Sequence, residues 1–394
     1  MKKVLYISYD GMTDPLGQSQ VLPYLSGLTR KGHTIHLISF EKKDRYQELG
    51  QEIQSYCDQN NIHWYPEWYT SNPPILATLN DVRKCWNRAK SLQEQYAFDI
   101  VHCRSYIAAL IGQRLKKKFN VDFLFDMRGF WADERVDGKI WNLSNPLFKQ
   151  VYQFFKKKEK SFLFNADAVV SLTKKAKSEM ITWDVTPDLA TKTTVIPCCA
   201  DLDLFKTGRN AAPQNTPFIL GYIGSIGTWY MLDEMLDFFK VLKQQKPTAV
   251  FHFATKENRE NIIKIAKAKG LSETDFKVES FKHSDVPKFI ETLSASVLFI
   301  LPTYSKMASC PTKLGELMAM GVPVICNAGV GDTETIVVES SAGALVHSLD
   351  EVGYMEAINQ LSNFDFIKAT NGAQRIFSLE NGVESYHKIY STIS

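Results

Sequence analysis

Two α/β domains, each a parallel sheet wound with helices on both faces, are what this 394-residue sequence predicts. Three observations carry that expectation. The length exceeds what one hydrophobic core ordinarily fills. Short, nearly continuous apolar runs alternate with longer segments of helical periodicity, the pattern of buried parallel strands between covering helices. The alternation breaks once, at the polar, proline-bearing stretch DLDLFKTGRNAAPQNTP (201–217), and then starts again.

Taken in order, KVLYISY reads as the first strand and QVLPYLSGLTRKG as a helix that stops at Gly32, a residue suited to the left-handed turn after a helix. HTIHLISF, DIVHC, DFLFDM, DAVVSL and TTVIP are the further strands of the first half. In the second half the strands are FILGYIG, AVFHFA, FKVES, SASVLFILP and VPVICN, with helices predicted from Leu232 to Lys243 and over 258–269. SLENGVESYHKIYSTI reads as a final amphipathic helix. No short-period repeat interrupts this order.

Composition narrows the class. Hydrophobic residues make up 44% and charged residues 23%, as in an ordinary soluble enzyme. The seven cysteines are scattered without a C-x-x-C, against a disulfide framework or zinc site and for a reducing cytoplasm. The first apolar run is too short for a signal peptide, and no stretch of 18 apolar residues would cross a membrane. Residues 1–205 carry a net charge of +5 and the remainder −2. An excess of that size is ordinary for a solvated surface, and no nucleic-acid partner is expected. Its concentration in Lys156, Lys157, Lys158 and Lys160, among Phe148, Tyr152, Phe155 and Phe162, also fits a helix lying on an anionic membrane.

Doubly wound sheets bind ligands beyond the carboxyl ends of their strands. Two glycine-bearing loops stand there: YDGMTDPLG, with Asp10 and Gly17, and GSIGTWY, with Gly224, Ser225 and Thr228. Each can bring amides to an anion or be a plain strand-to-helix turn. Neither is a dinucleotide fingerprint or a Walker motif. The third stretch is SCPTKLGELMAMGVPVI (309–325). Pro311 suits a first helical turn, Ser309 and Thr312 are candidate caps, and the amides of Thr312, Lys313 and Leu314 would point out of the helix end toward a phosphate. Glu316, one turn further on the same face, can accept both hydroxyls of a ribose. The competing reading is a solvated Lys313–Glu316 pair.

Four stretches resemble glycosyltransferase family 4: the second strand after Gly32–His33, VIPCCADLDLF, PTKLGELMAMGVPVI and FSLENGVESYHKIY. The likeness implies a retaining enzyme of the GT-B fold, two Rossmann-like domains facing a cleft. Its implied domains are 1–205, acceptor-binding and joined by the terminal helix 377–394, and 206–376, nucleotide-sugar-binding. It implies that Glu316 is the ribose-holding second Glu of the family's Glu-x7-Glu motif. The first falls at Ala308, and the family's Arg and Lys are missing from GSIGTWY, so Lys313 is assigned part of that charge. FDMRGFWADE looks like the Arg-x-x-Trp segment of capsule and O-antigen members, matching Arg128, Trp131 and Glu134.

The chemistry that follows is transfer of a sugar, a hexose or N-acetylhexosamine, from a nucleotide diphosphate sugar (UDP favoured) to a lipid-linked or polysaccharide precursor, in the cytoplasm at the inner membrane face. Diphosphate charge would be met by Lys313, Ser225 and the Gly17 loop, with no metal or other cofactor. Asp201-Leu202-Asp203 lies in the linker pattern and is read as a chance match to a metal-binding Asp-x-Asp. Arg128 is expected to act at the site or to pair with Asp126 or Asp133; His102 to act in catalysis or to pack; Arg104 to orient acceptor or diphosphate. Phe281 and Lys282 are placed to cover the base. The alternatives are a nucleotide-sugar epimerase of the same fold, a catalytically silent nucleotide-binding relative, and an exported solute-binding protein, for which no export signal is seen.

Overall fold

Strands that must lie between two layers of helices need apolar residues on both faces, and these runs supply them: Val4–Ser8 and Ile100–Arg104 are buried throughout. A computed structural model, describing residues 1–209, 211 and 216–393, shows the result. Part of the expected linker 201–217, and Ser394 of the expected terminal helix, lie outside the described residues. The chain divides into two compact units, Met1–Pro197 with Leu379–Ser394, and Cys198–Ser378.

In the first unit the strands are β1 (Lys3–Ser8), β2 (Thr34–Glu41), β3 (Ile62–Trp68), β4 (Ile100–Arg104), β5 (Asp122–Asp126), β6 (Ala168–Ser171) and β7 (Thr193–Val195). They form one parallel sheet in the order β3-β2-β1-β4-β5-β6-β7. In the second, β8 (Ile219–Ile223), β9 (Val250–Ala254), β10 (Phe276–Glu279), β11 (Ala295–Leu298), β12 (Val324–Asn327) and β13 (Gly343–Val346) run in the order β10-β9-β8-β11-β12-β13, again parallel. Two cores flank the second sheet. Leu220, Tyr222, Phe251, Phe253 and Val297 face one, and Ile223, Ala254, Leu298 and Val324 the other, the side-to-side alternation of a strand.

β3 and β13 are absent from the sequence reading, and both are outermost strands. β3 buries only alternate residues near its start and carries Pro66, which a strand tolerates where its N–H has no partner to lose. β13 has four residues beginning at a glycine with φ of +153°.

The terminal helix, Leu379–Thr392, packs on the helix Leu22–Arg30 of the first unit. Gly27 permits the approach, since a Cβ there would come 2.4 Å from a methyl of Val383. Part of the expected membrane face of the basic aromatic helix Pro146–Asn165 turns inward. Phe155 and Phe162 are buried, Tyr152 donates to Asp133 Oδ1 at 2.8 Å, and Lys156 turns inward to Asp133 and the buried Glu159. Its exposed apolar residues are instead Leu147, Phe154 and Phe164, beside exposed Lys157 and Lys160. Among the described residues no helix is long and apolar enough to cross a membrane.

Candidate functional site

In both sheets the winding reverses once, between β1 and β4 and between β8 and β11. Loops leaving those strands splay apart there and open a crevice for ligands. The candidate residues gather at these two places.

The second domain's crevice is built around the helix Thr312–Ala319. Leu314, Leu317 and Met318 anchor it in the core, and Gly315 lets it lie against Phe377, whose Cγ would be 2.7 Å from a Cβ at that position. The helix ends where Gly321 turns left-handed (φ +65°), its amide bonding Met318 O and that of Val322 bonding Leu317 O, each at 3.0 Å. With that face committed, Lys313 and Glu316 share the other: Lys313 Nζ lies 2.7 Å from Glu316 Oε2. Glu316 is 4% exposed, so this is no solvated surface pair. The start of the helix differs from expectation. Pro311 is the N-cap residue and has no side-chain acceptor, so neither Ser309 nor Thr312 occupies the capping position. The Leu314 amide closes on Pro311 O at 3.2 Å, and Leu314 itself is fully buried, so its amide is spent within the helix start. Thr312 and Lys313 supply the remaining outward amides.

The loop after β8 is also partly spoken for. Gly224, at φ +141°, sends its amide to Ala254 O at 3.1 Å, so it serves the sheet rather than an anion. Ser225 and Thr228 are exposed, and Ser225 O accepts from Tyr222 Oη at 2.6 Å. Backbone bonds stitch this loop to the segment after β11: Leu301 N to Trp229 O at 2.9 Å and Met231 N to Phe299 O at 3.2 Å. Asn327 ties in β12, accepting from Ile300 N and donating to Ile300 O, both at 2.8 Å.

Two residues of this crevice escaped the sequence reading. Lys306 is 5% exposed, with its ammonium 3.7 Å from the centroid of the Trp229 ring. His283, next to the expected Phe281 and Lys282, lies within electrostatic range of Glu316, Lys313 and Asp201. The signal for Lys306 was its place two residues before Ala308; that for His283 was its place inside FKHSDVPKF. Phe281 packs on Phe289 with ring centroids 5.0 Å apart, while Lys282 is exposed. Ala308 is buried and offers no carboxylate. Asp201 Oδ1 accepts from the amides of Asp203 and Leu204, so the DLD acid shapes a turn. Among the described residues no three His, Cys, Asp or Glu side chains converge as a metal site.

At the first domain's crevice, the loop after β1 is clamped by the fully buried Glu41. Its two oxygens accept from the amides of Met12 (2.7 Å) and Thr13 (3.0 Å), from Thr13 Oγ1 (2.6 Å) and from Ser39 Oγ (2.5 Å). Gly17 is corrected: it lies inside the short helix Pro15–Gln20, buried against the backbone of Gly11 and Met12, and is not a loop glycine. Asp10 reaches across the crevice, its Oδ2 accepting from Arg104 Nε at 3.2 Å. Arg104 is 4% exposed and its Nη1 has no partner.

Behind them stands a buried network. Tyr386 of the terminal helix donates to Asp126 Oδ2 at 2.9 Å, and His102 Nδ1 is 2.7 Å from Tyr390 Oη. His102 Nε2 lies 3.5 Å, and Arg128 Nη1 3.9 Å, from the Asp126 carboxylate. Burial works against the Asp126 charge, but Arg128, His102 and Arg104 together hold its carboxyl below the usual range. Burial pushes the His102 imidazole down, against the pull of Asp126. His102 is 1% exposed and closed in by Tyr6, Tyr386 and Tyr390, the packing arrangement that stood as the alternative to a catalytic role. Arg128 adopts a left-handed backbone (φ +56°) and pairs with Asp126; Asp133 pairs with Lys156 instead. Trp131 is half-buried in an aromatic group with Tyr106, Trp141 and Phe155, and Glu134 follows one turn on.

Comparison with known proteins agrees with this architecture. Residues 19–204 match the model of Glycosyltransferase Family 4, and residues 206–370 that of Glycosyl transferases group 1. No curated protein matches the chain in sequence. Among solved structures, sucrose-phosphate synthase from Thermosynechococcus elongatus superposes with a TM-score of 0.72 at 16% identity, covering 99% of this chain and 98% of that one. A glycosyltransferase from Rickettsia africae gives 0.70 at 16%, covering 100% and 98%. HepE from Anabaena, solved with UDP and glucose, gives 0.68 at 14%, covering 100% of both chains. Two successive glycosyltransferase domain matches, on two parallel sheets of this topology, identify the chain as a glycosyltransferase of the GT-B fold with a Family 4 domain followed by a group 1 domain.

Proposed function

We propose that the protein moves a hexose or N-acetylhexosamine from a nucleoside-diphosphate sugar, UDP-linked by preference, to a lipid-linked or polysaccharide precursor, with retention and without a metal. The observation that carries this reading is the Lys313–Glu316 pair. A buried carboxylate, one turn inside a helix at the sheet's winding reversal, is suited to a ribose diol, and the lysine and helix start beside it to a phosphate. HepE, of the same fold, was solved with UDP and glucose, which favours uridine as the base.

In the proposed step the anomeric C–O bond breaks and its electron pair leaves with the diphosphate. The acceptor hydroxyl attacks from the same face, and its proton passes to a leaving phosphate oxygen, so no strong protein base is needed. The task left to the chain is to stabilise the departing charge. Lys313 and the Thr312 and Lys313 amides serve that role in the second domain, with Ser225 and Thr228 at hand. Asp10, Arg104, Arg128, Trp131 and Glu134 are the acceptor side's candidates.

The lipid-linked acceptor and an inner-membrane location draw support from Phe154, Phe164, Lys157 and Lys160, exposed on one helix, and from the capsule-like segment around Arg128. Failure to bind anionic vesicles at low salt would remove that part. Ala308 favours one second reading, a relative that binds nucleotide without turnover. Calorimetric titration of UDP, GDP and ADP in EDTA, repeated with Glu316→Ala, tests the donor site. Binding that the substitution weakens supports it, and no binding refutes it. Assay of the bound nucleotide's sugars with lipid-phosphate acceptors then separates transferase from silent relative.

A further inference from the structure

The helices covering the first sheet differ in charge from one side to the other. Strand alternation tells the sides apart. Cys103 of β4 faces the helix Ser105–Phe119, where a Cβ on Gly112 would come 2.4 Å from its Sγ. Its neighbour His102 faces the terminal helix, with Nδ1 2.7 Å from Tyr390 Oη. The helices Pro74–Tyr96 and Pro146–Asn165 pack against Ser105–Phe119 in its layer. Side chains join the three: Arg114 lies 3.8 Å from the centroid of the Trp86 ring, and Gln113 Nε2 donates to Ser161 Oγ at 2.7 Å. Together they carry thirteen lysines and arginines and three acids, of which Asp81 and Glu159 are buried. Right-handed crossovers put the helices after β1 and β2 on the opposite side, with the terminal helix. There Leu22–Arg30, Lys43–Gln59 and Leu379–Thr392 carry four basic residues and six acids.

The outer side of the basic layer is also apolar. Leu76, Leu79 and Arg83 share one helix face at i, i+3 and i+7, and Phe154, Lys157 and Phe164 share another; all six are exposed. Lys117 and Lys118 are exposed on the helix between them. Apolar side chains set among fixed positive charges suit a surface with anionic groups outside and hydrocarbon beneath. A nucleic acid offers the phosphates but no hydrocarbon for two leucines and two phenylalanines. We infer that the outer face of these three helices docks flat on an anionic lipid bilayer, with the first sheet parallel to it and the acidic layer turned away. This rests on the membrane part of the reading above and extends it from one helix to a whole face with an orientation.

The test is co-sedimentation of the full chain with vesicles of phosphatidylglycerol and phosphatidylcholine, and of phosphatidylcholine alone, at stepped salt. Binding is expected on the anionic vesicles only and should fall as salt rises. Lys117→Gln with Lys118→Gln should weaken it about tenfold or more, and Leu76→Ser with Leu79→Ser about fivefold or more. Glu48→Gln with Glu52→Gln, on the acidic layer, should not weaken it. All six positions are exposed, and thermal midpoints check that the variants fold. If either the lysine pair or the leucine pair leaves binding unchanged, the face does not act as one and the inference fails; the membrane reading still stands where Phe154→Ser with Lys157→Gln weakens binding. If the chain ignores anionic vesicles at low salt, both fail, and the donor site is untouched. Equal binding to phosphatidylcholine alone, or a duplex oligonucleotide that binds more tightly than the vesicles and displaces them, also overturns the inference.

Discussion

The two crevices have the same topology and are furnished in opposite ways. In the first domain the polar groups are spent on one another: Glu41 on the Met12–Thr13 amides, Asp126 on Tyr386 and Arg128, His102 on Tyr390, Arg104 on Asp10. Two of those partners come from a helix at the far end of the chain. In the second domain the stitching described is largely backbone to backbone, and one charged pair, Lys313 with Glu316, stands on the helix beside it. A buried ionic network holds a fold in register but leaves little for a ligand; a backbone-stitched platform needs fewer side chains to hold it. On the proposed reading, stability falls chiefly to the first crevice and nucleotide recognition to the second.

The hardest blow to that division is Asp126→Ala. Removing a 1% exposed carboxylate strands the Tyr386 hydroxyl and takes a counter-charge from Arg128, and should cost about 3–5 kcal/mol of unfolding free energy, read as a fall in urea midpoint. A loss below about 1 kcal/mol would mean the network does not support the fold.

Acid should act on the same domain. Burial, with His387 beside it, holds His33 at about 4, and burial, with His63 beside it, holds His36 at about 4, against an ordinary 6.5. His102 is shifted the same way. The unfolded chain therefore takes up protons first as pH falls. This stability is fully present above pH 6.5, drains away toward pH 4 and levels off below. Across that window the loss should reach about 1–3 kcal/mol for each of His33 and His36, in unfolding measured at stepped pH. A flat profile would show that these rings are protonated in the fold as readily as in the open chain.

Glu316→Ala sharpens the contrast from the other side. Nucleoside diphosphate affinity should drop by about 1.5–3 kcal/mol, the value of hydrogen bonds to a charged group, with a smaller change in thermal midpoint. Lys313 is 25% exposed at its side chain and can turn to solvent when its partner is lost. The smallest effect is expected at Lys31, whose bond to Glu384 at 2.8 Å joins two exposed side chains. Lys31→Ala should leave the thermal midpoint essentially unchanged, since exposed pairs are screened. A larger shift would mean that the terminal helix is held by its rim rather than by Val383, Tyr386 and Tyr390.

By itself the sequence determined the α/β class, the inner strands, both crevice loops and the Lys313–Glu316 spacing. Each depends on residues close together in the chain: apolar runs long enough for a buried strand, and an i, i+3 step that puts two side chains on one helix face. The edge strands β3 and β13 lacked that local signature, because an edge is covered less and tolerates a proline or a glycine. Only the tertiary structure decided which polar groups were already taken. Gly224 and Ala254 are 30 positions apart, Lys306 and Trp229 77, and His102 and Tyr390 288, so nothing in the local pattern could tell an amide, an ammonium or an imidazole with a partner from one awaiting a ligand. Periodicity is a property of neighbours along the chain; hydrogen-bond partnership is a property of neighbours in space.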